Sequence, residues 1–513
     1  MKLSRRLLAA GAFLSIMSAA LPHQAAEAAA KSGAKCPTVG ATEGGLVCKK
    51  VGSSNRWVKA AAAPSTAPPT TAAAAATPAT TAAPAADTNT KSVIPTTGDA
   101  PGVTDASVKI GFIGVVARGG SSVASTVAGD EQKQVQAIVD WANANGGVAG
   151  RKIVPVYKEM NVSGNTFQQA PVICASLTED EKVFAVVLLG HPILSDRECY
   201  AKKKTLILDG ANFPFLQKVF NDLSPYFLNI ANPSLDRSTP AMVREAKARG
   251  YFDNAKVGIF TFNTPESKAY IDTSIVPELA KIGVTPTDIA YSGNDSPLTF
   301  FRDAATAVGK FQAKGIDHVI MLGSGGLGPV FALAAEAQQF FPRYLLNSNE
   351  TPRFLADIPK GPGTQPLQPG TLKGAISIGF TPYQDTEDIQ HPFPEPNSPE
   401  ATCVAAYRDK GVFFTSRNNA RYALSYCDAV FFLQAAGKGL EKNFTVQSVV
   451  ASAENLGSNL KSASAYKVNF SKAQHDAGAG YRVYKFDPGC TRIGDNRFTT
   501  TGCWVADGPI KDL

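Results

Sequence analysis

Gly323-Ser324-Gly325-Gly326-Leu327-Gly328 is a G-x-G-x-x-G run placed between an apolar stretch and a helical one, and Glu350 follows about 20 residues on. Glycines at that spacing let backbone N–H groups approach a pyrophosphate, and an acid at that distance suits a ribose hydroxyl. The same glycines also serve the wall of any open α/β cleft, so a dinucleotide-binding oxidoreductase and a plain small-molecule site are both readings of them. Nucleophilic chemistry has less support. Leu322 stands where a G-x-S-x-G elbow around Ser324 needs its first glycine. The five His are dispersed, with no two at the spacing of a helical metal pair. No catalytic residue, metal or cofactor is therefore expected.

Eight Cys in an exported chain imply four disulfides, and eight permit 105 pairings. Spacing favours sequential pairing, Cys36–Cys48, Cys174–Cys199, Cys403–Cys427 and Cys490–Cys503, which closes four short loops and leaves no thiol as nucleophile.

The export reading comes from the N-terminus. Lys2, Arg5 and Arg6 precede an apolar run over 7–20, and Ala26-Glu27-Ala28 has the small-x-small pattern of a cleavage site. That is a signal peptide over 1–30, too short in its apolar core to span a bilayer. Lys35 precedes the first cysteine, Cys36, so no lipid anchor is expected. Residues 31–59 form a small arm bridged by Cys36–Cys48, too short to fold on an apolar core alone and a candidate for attachment to the cell envelope. Residues 60–86 contain only Ala, Pro, Ser and Thr, and 60–106 read as a semi-rigid linker. The chain of 513 residues has 50 Lys and Arg against 43 Asp and Glu, without a run of five or six like charges, so no nucleic-acid partner is indicated.

From residue 107 the pattern alternates. Strands are expected over 108–114, 152–157, 183–189, 205–208 and 226–230, with helices over 130–143, 166–177 and before 204. After residue 232 the alternation restarts: helices over 239–250, 267–283 (broken at Pro277), 299–314 and 329–340, with strands over 256–261, 318–322, 344–347 and 375–380. Helices over 401–410 and 419–437 follow, and strand alternation returns over 481–486. Strand–helix units of this length require crossovers, hence parallel sheets covered on both faces. The restart points to two open Rossmann-like lobes rather than a closed (β/α)₈ barrel, with any ligand at the carboxyl ends of the strands.

Val108-Lys109-Ile110-Gly111-Phe112-Ile113-Gly114, the turn Asn145-Gly146-Gly147-Val148-Ala149-Gly150-Arg151 and the strand 183–189 together resemble type I periplasmic binding proteins, in the branch of branched-chain amino acid (Leu/Ile/Val) ABC transporter receptors. The likeness runs from about 108 to 487. It implies an α/β fold of two lobes joined by a three-strand hinge: residues 107–231 and 380–440 in the N-terminal lobe, 232–379 and 441–513 in the C-terminal lobe. It implies a monomeric, secreted solute-binding protein that passes an amino acid or related small carboxylate or amide to an ABC permease; a sensor uncoupled from transport is the alternative. The resemblance places a carboxylate shelf at 190–195, with Gly190, His191 and the Ser195 hydroxyl as its donors. Ala211 and Asn212 follow the next strand, Gly323, Ser324 and Gly325 line the other lobe, and Glu350 pairs with the ligand ammonium. The turns Val115-Val116-Ala117-Arg118, His191-Pro192-Ile193-Leu194 and Asn263-Thr264-Pro265-Glu266 depart from the family pattern, which makes a larger apolar or aromatic solute, or a carboxylate lacking an amine, as credible as leucine.

Overall fold

The structure is a computed structural model, and it describes residues 42–43, 46–51, 54–59, 100–116, 129–161, 166–189, 194–210, 215–293, 297–323, 327–356, 367–385, 391–491 and 501–513. The expected signal peptide and Cys36 lie outside them. The chain divides into two compact units, Met1–Ser92 and Val93–Leu513.

The smaller unit is an antiparallel sheet of β1 (Thr42–Glu43), β2 (Leu46–Val51) and β3 (Ser54–Lys59). Cys48, fully buried and disulfide-bonded, stands opposite Trp57.

The larger unit carries two sheets. The first contains β4 (Ser107–Val116), β5 (Lys152–Asn161), β6 (Ala185–Leu188), β7 (Leu206–Asp209) and β8 (Phe227–Asn229), in the order β5-β4-β6-β7-β8 with every pair parallel. Its crossovers carry helices α1 (Glu131–Ala144), α2 (Thr166–Ala175), α3 (Leu194–Lys202) and α4 (Gln217–Asp222). After α5 (Leu235–Ala248) the scheme repeats with β9 (Val257–Phe262), β10 (Asp288–Ser292), β11 (His318–Leu322), β12 (Arg343–Asn347) and β13 (Ile376–Gly379), in the order β10-β9-β11-β12-β13. These five are parallel too. Each half thus has the 2-1-3-4-5 order of a doubly wound sheet.

Both sheets bury side chains on both faces, as all-parallel sheets must. In β6, Ala185 and Val187 enter one apolar cluster while Val186 and Leu188 enter the cluster on the other side. In β11, Val319 and Met321 divide from Ile320 and Leu322 in the same way.

Helices α6 (Pro265–Tyr270) and α7 (Val276–Lys281) flank a π turn at Ile271–Ile275, where the sequence suggested a break at Pro277. The helix continues because the Val276 N–H reaches the Ile271 carbonyl, five residues back, and Pro277 falls in the first turn of α7, where no donor is missed. Next come α8 (Pro297–Ala313), α9 (Leu327–Ala337), α10 (Pro352–Ala356) and α11 (Pro382–Asp385).

Helices α12 (Pro399–Arg408) and α13 (Arg417–Gly437) return to the first sheet, in whose core Cys403, Tyr407, Tyr426 and Cys427 are buried. Helix α14 (Val446–Ala453) joins them: Phe444, Val446, Val449, Phe470 and Ala477 pack in the first sheet's cluster. That corrects the boundary expected at residue 441. The segment 444–477 belongs to the first lobe's core, because the apolar face of α14 is buried beside α13 rather than on the second sheet. Only β14 (Gly480–Thr491), β15 (Thr501–Ala506) and β16 (Lys511–Asp512) extend the second sheet, with β14 antiparallel to β13. The chain therefore passes between the lobes after β8, after β13 and before β14, which are the three crossings of the hinge.

Disulfides tie α2 to α3 (Cys174–Cys199, Cα–Cα 6.5 Å), α12 to α13 (Cys403–Cys427, 5.9 Å) and β14 to β15 (Cys490–Cys503, 5.6 Å).

Candidate functional site

In a doubly wound sheet a ligand sits beyond the carboxyl ends of the strands, where the strand order reverses. Here the reversals fall between β4 and β6 and between β9 and β11. The last residues of β6 and β11, Leu188 and Leu322, are therefore at the two switch points.

On the first lobe, Gly190 and His191 lie outside the described residues, as do Ala211 and Asn212 after β7. Ser195 is exposed in the first turn of α3. The two residues after it are buried, and Arg197 donates from Nε (2.9 Å) and Nη2 (2.7 Å) to Asp209 Oδ2, both side chains being fully buried. Asp209 closes β7. It holds α3 to the sheet, with the Arg197 guanidinium also 5.0 Å from the Phe215 ring centroid. Gly210 comes next, and a Cβ there would lie 3.0 Å from Leu189 and 3.3 Å from Ser425.

On the second lobe, Gly323 and Glu350 are brought together. The Gly323 backbone amide lies against the Glu350 carboxyl, and a Cβ on Gly323 would collide with the Leu327 side chain. Glycine is what lets the end of β11 turn so close to α9. Ser324 and Gly325 lie outside the described residues. Glu350 ends a 3₁₀ turn, Ser348–Glu350, followed by Thr351 in the left-handed region at φ 48°. It is 1% exposed, and its Oε2 has no hydrogen-bond partner among the described residues. Burial pushes its carboxyl up to about 8 against the opposing effect of the Gly323 N–H.

Two further acids of the same kind escaped the sequence reading. Asp385, fully buried, accepts from Ser348 Oγ and from the Thr381 N–H, each at 2.9 Å, beyond the carboxyl end of β13. Its Oδ1 has no partner among the described residues, and burial raises it to about 8. Glu131 opens α1 beside the end of β4. Its Oε2 accepts from Tyr426 (2.8 Å) and from the Val115 N–H (3.2 Å), Oε1 is left without a partner among the described residues, and burial raises it to about 7. Three buried carboxyl groups near strand ends, each with an oxygen that has no hydrogen-bond partner among the described residues, are acceptors or (when protonated) donors for a polar guest.

A cavity of about 380 Å³ lies elsewhere, among His391, Glu395, Lys461, Tyr466 and Asp512 beside the hinge crossings, and none of the expected ligand residues lines it. Among the described residues no group of three or more His, Cys, Asp or Glu is arranged to hold a metal ion, and no helix is long and apolar enough to cross a membrane.

Two doubly wound sheets of identical order, crossed three times by the chain and carrying buried acids near their strand ends, define a two-lobed solute-binding protein. A family model described as periplasmic binding protein matches residues 107–491, and the chain belongs to that family. The family is one of extracytoplasmic solute-binding proteins.

Solved structures of the same fold include a fatty acid ABC transporter substrate-binding protein from Thermomonospora curvata (16% identity, 80% of this chain and 94% of that one, TM-score 0.54). Another is a solute binding protein from Rhodopseudomonas palustris in complex with 3,4-dihydroxybenzoic acid (14%, 80% and 98%, TM-score 0.55). A third is a leucine binding protein from Thermotoga maritima (15%, 79% and 97%, TM-score 0.50). No curated protein matches the chain.

Proposed function

We propose that the protein, exported after signal cleavage near Ala28 or Ala30, captures a small carboxylate or amide of amino-acid size between its lobes and passes it, as a monomer, to an ABC permease. The observation that carries this reading is Glu350, a buried carboxyl at a strand end that lies against the Gly323 backbone and whose Oε2 has no hydrogen-bond partner among the described residues. In this reading Glu350 meets the ligand's ammonium or hydroxyl group. Gly190, His191 and Ser195 meet its carboxylate, Ala211 and Asn212 flank it, and Gly323, Ser324 and Gly325 form the opposite wall. Relatives of this fold are described with leucine, a fatty acid and 3,4-dihydroxybenzoic acid. All three carry a carboxylate and only one an amine. The apolar turn His191-Pro192-Ile193-Leu194 leans toward the latter two.

A thermal-shift screen of amino acids, amides, aliphatic acids and hydroxybenzoates tests it. A ligand that stabilises by mass action and binds at least tenfold more weakly to Glu350→Gln supports the site. Failure of the whole set to shift the melting temperature, or unchanged affinity in both Ser195→Ala and Glu350→Ala, overturns it.

A further inference from the structure

The positive charge of the chain is not shared out along it. Residues 60–513 carry 41 Lys and Arg and 41 Asp and Glu, a balance of zero, whereas residues 31–59 carry six cations (Lys31, Lys35, Lys49, Lys50, Arg56 and Lys59) against Glu43 alone. Apart from the expected signal peptide, the whole excess of the protein resides in the small N-terminal unit.

The fold of that unit concentrates it further. Strands β2 and β3 pair so that Lys49 stands directly opposite Arg56 and Lys50 opposite Asn55. Like charges in register across an antiparallel pair destabilise it. The hairpin keeps them there, fastened by the buried, disulfide-bonded Cys48. Lys49, Lys50 and Arg56 are all exposed. Successive strand residues point to opposite faces, so Lys49 and Arg56 occupy one face of the hairpin and Lys50 the other.

We infer that this hairpin is a docking surface for a linear anionic polymer of the cell envelope. Cations on both faces suit a flexible chain that wraps the hairpin; a planar lipid surface reaches one face at a time. The stretch of 27 residues that follows, 60–86, holds only Ala, Pro, Ser and Thr. Its composition is that of the linker expected between the arm and the solute-binding body. The inference is independent of which solute the body takes.

The exported protein, purified from secreting cells, is passed over poly(glycerol phosphate) coupled to dextran beads, over plain dextran beads, and mixed with phosphatidylglycerol vesicles. Retention on the phosphate polymer at 50 mM NaCl, released by about 500 mM, is the expected result, since screening at that salt suppresses exposed charge contacts. The triple variant Lys49→Gln, Lys50→Gln, Arg56→Gln is expected to bind the polymer about a hundredfold more weakly, at roughly a tenfold loss or less for each cation. Mass spectrometry of the unreduced variant checks that its disulfides remain closed. Absence of retention, retention unaffected by salt, equal retention of the triple variant, or binding to the vesicles in preference to the polymer overturns the inference.

Discussion

Asp476 accepts a 2.7 Å bond from Arg237 although 239 residues separate them in the chain. Asp476 is fully buried and also takes the Ser234 N–H, while Arg237 donates a second time to the Asp476 carbonyl. Beside this pair the Asn229 N–H donates to the His475 carbonyl and the Ala477 N–H to the Asn229 carbonyl. The first and last crossings of the hinge are thus stapled to one another. Removing one partner of such a pair leaves polar groups buried without compensation. Asp476→Ala is expected to cost about 3 kcal/mol, toward the low end because the Arg237 side chain is 25% exposed. Urea unfolding measures it, and a loss below about 0.5 kcal/mol, the scale of an ordinary surface change, would show that the staple does not bear on stability.

The three site carboxyls set a pH dependence with a definite sign. Glu131, Glu350 and Asp385 are raised in the folded protein to about 7, 8 and 8 from ordinary values of 4.5, 4.5 and 3.8. Between those limits the native state holds protons that the unfolded chain has lost, so stability falls as pH rises. The unliganded protein is expected to melt at a higher temperature at pH 5 than at pH 8. Glu350→Gln with Asp385→Asn should flatten the profile by up to about 1.4 kcal/mol per pH unit for each group. An unchanged slope in the double variant would contradict the assignment.

Ser195 and Glu350 are expected to separate affinity from stability. Ser195 is exposed, so Ser195→Ala should leave the melting temperature unchanged and weaken ligand binding about fivefold, the worth of one hydrogen bond. Glu350→Gln removes a raised carboxyl from the interior, so it should raise unliganded stability at pH 8 while weakening binding more than Ser195→Ala does. Calorimetric titration beside thermal melts reads both quantities.

Cys174–Cys199 joins α2 to α3, the helix whose first turn carries Ser195, across 25 residues. Replacing both cysteines by Ser is expected to cost about 3 kcal/mol through the loop entropy returned to the unfolded chain. It should also lower ligand affinity, because α3 then loses its covalent tie to α2 and keeps only non-covalent ones, among them the Arg197–Asp209 pair and the buried Tyr200. A variant with wild-type affinity would show that the bridge is not needed to set the shelf.

The strands at the centre of each sheet were legible because burial on both faces leaves an unbroken apolar run, as in Ala185–Leu188. Asp288–Ser292 was not: it is the edge strand of its sheet, only Ala290 and Ser292 are buried, and its composition reads as loop. The glycine turn and Glu350 follow from order along the chain, and the approach of Gly323 to Glu350 follows from strands β11 and β12 being neighbours. Glu131 looks in sequence like a solvated acid in a helix's first turn, and Asp385 like part of a polar loop. Only the arrival of Tyr426 from α13 and of Ser348 from β12's end makes them buried acceptors. Segment 444–477 was misplaced for a related reason: a helical spacing of Val446, Val449 and Val450 gives an apolar face but not the sheet it covers.

The order in which the protein can be completed follows from where its last residues go. The first sheet's strands end at Asn229, yet its covering helices run to residue 453 and its cluster closes only with Ala477. The second sheet waits longer, since β16 pairs with β14 and the Leu513 N–H donates to the Ala479 carbonyl. A polypeptide threaded outward from its N-terminus would deliver the charged arm hundreds of residues before either lobe could close. Anchoring would then precede maturation, and a premature stop anywhere before residue 477 would leave both lobes unfinished rather than one.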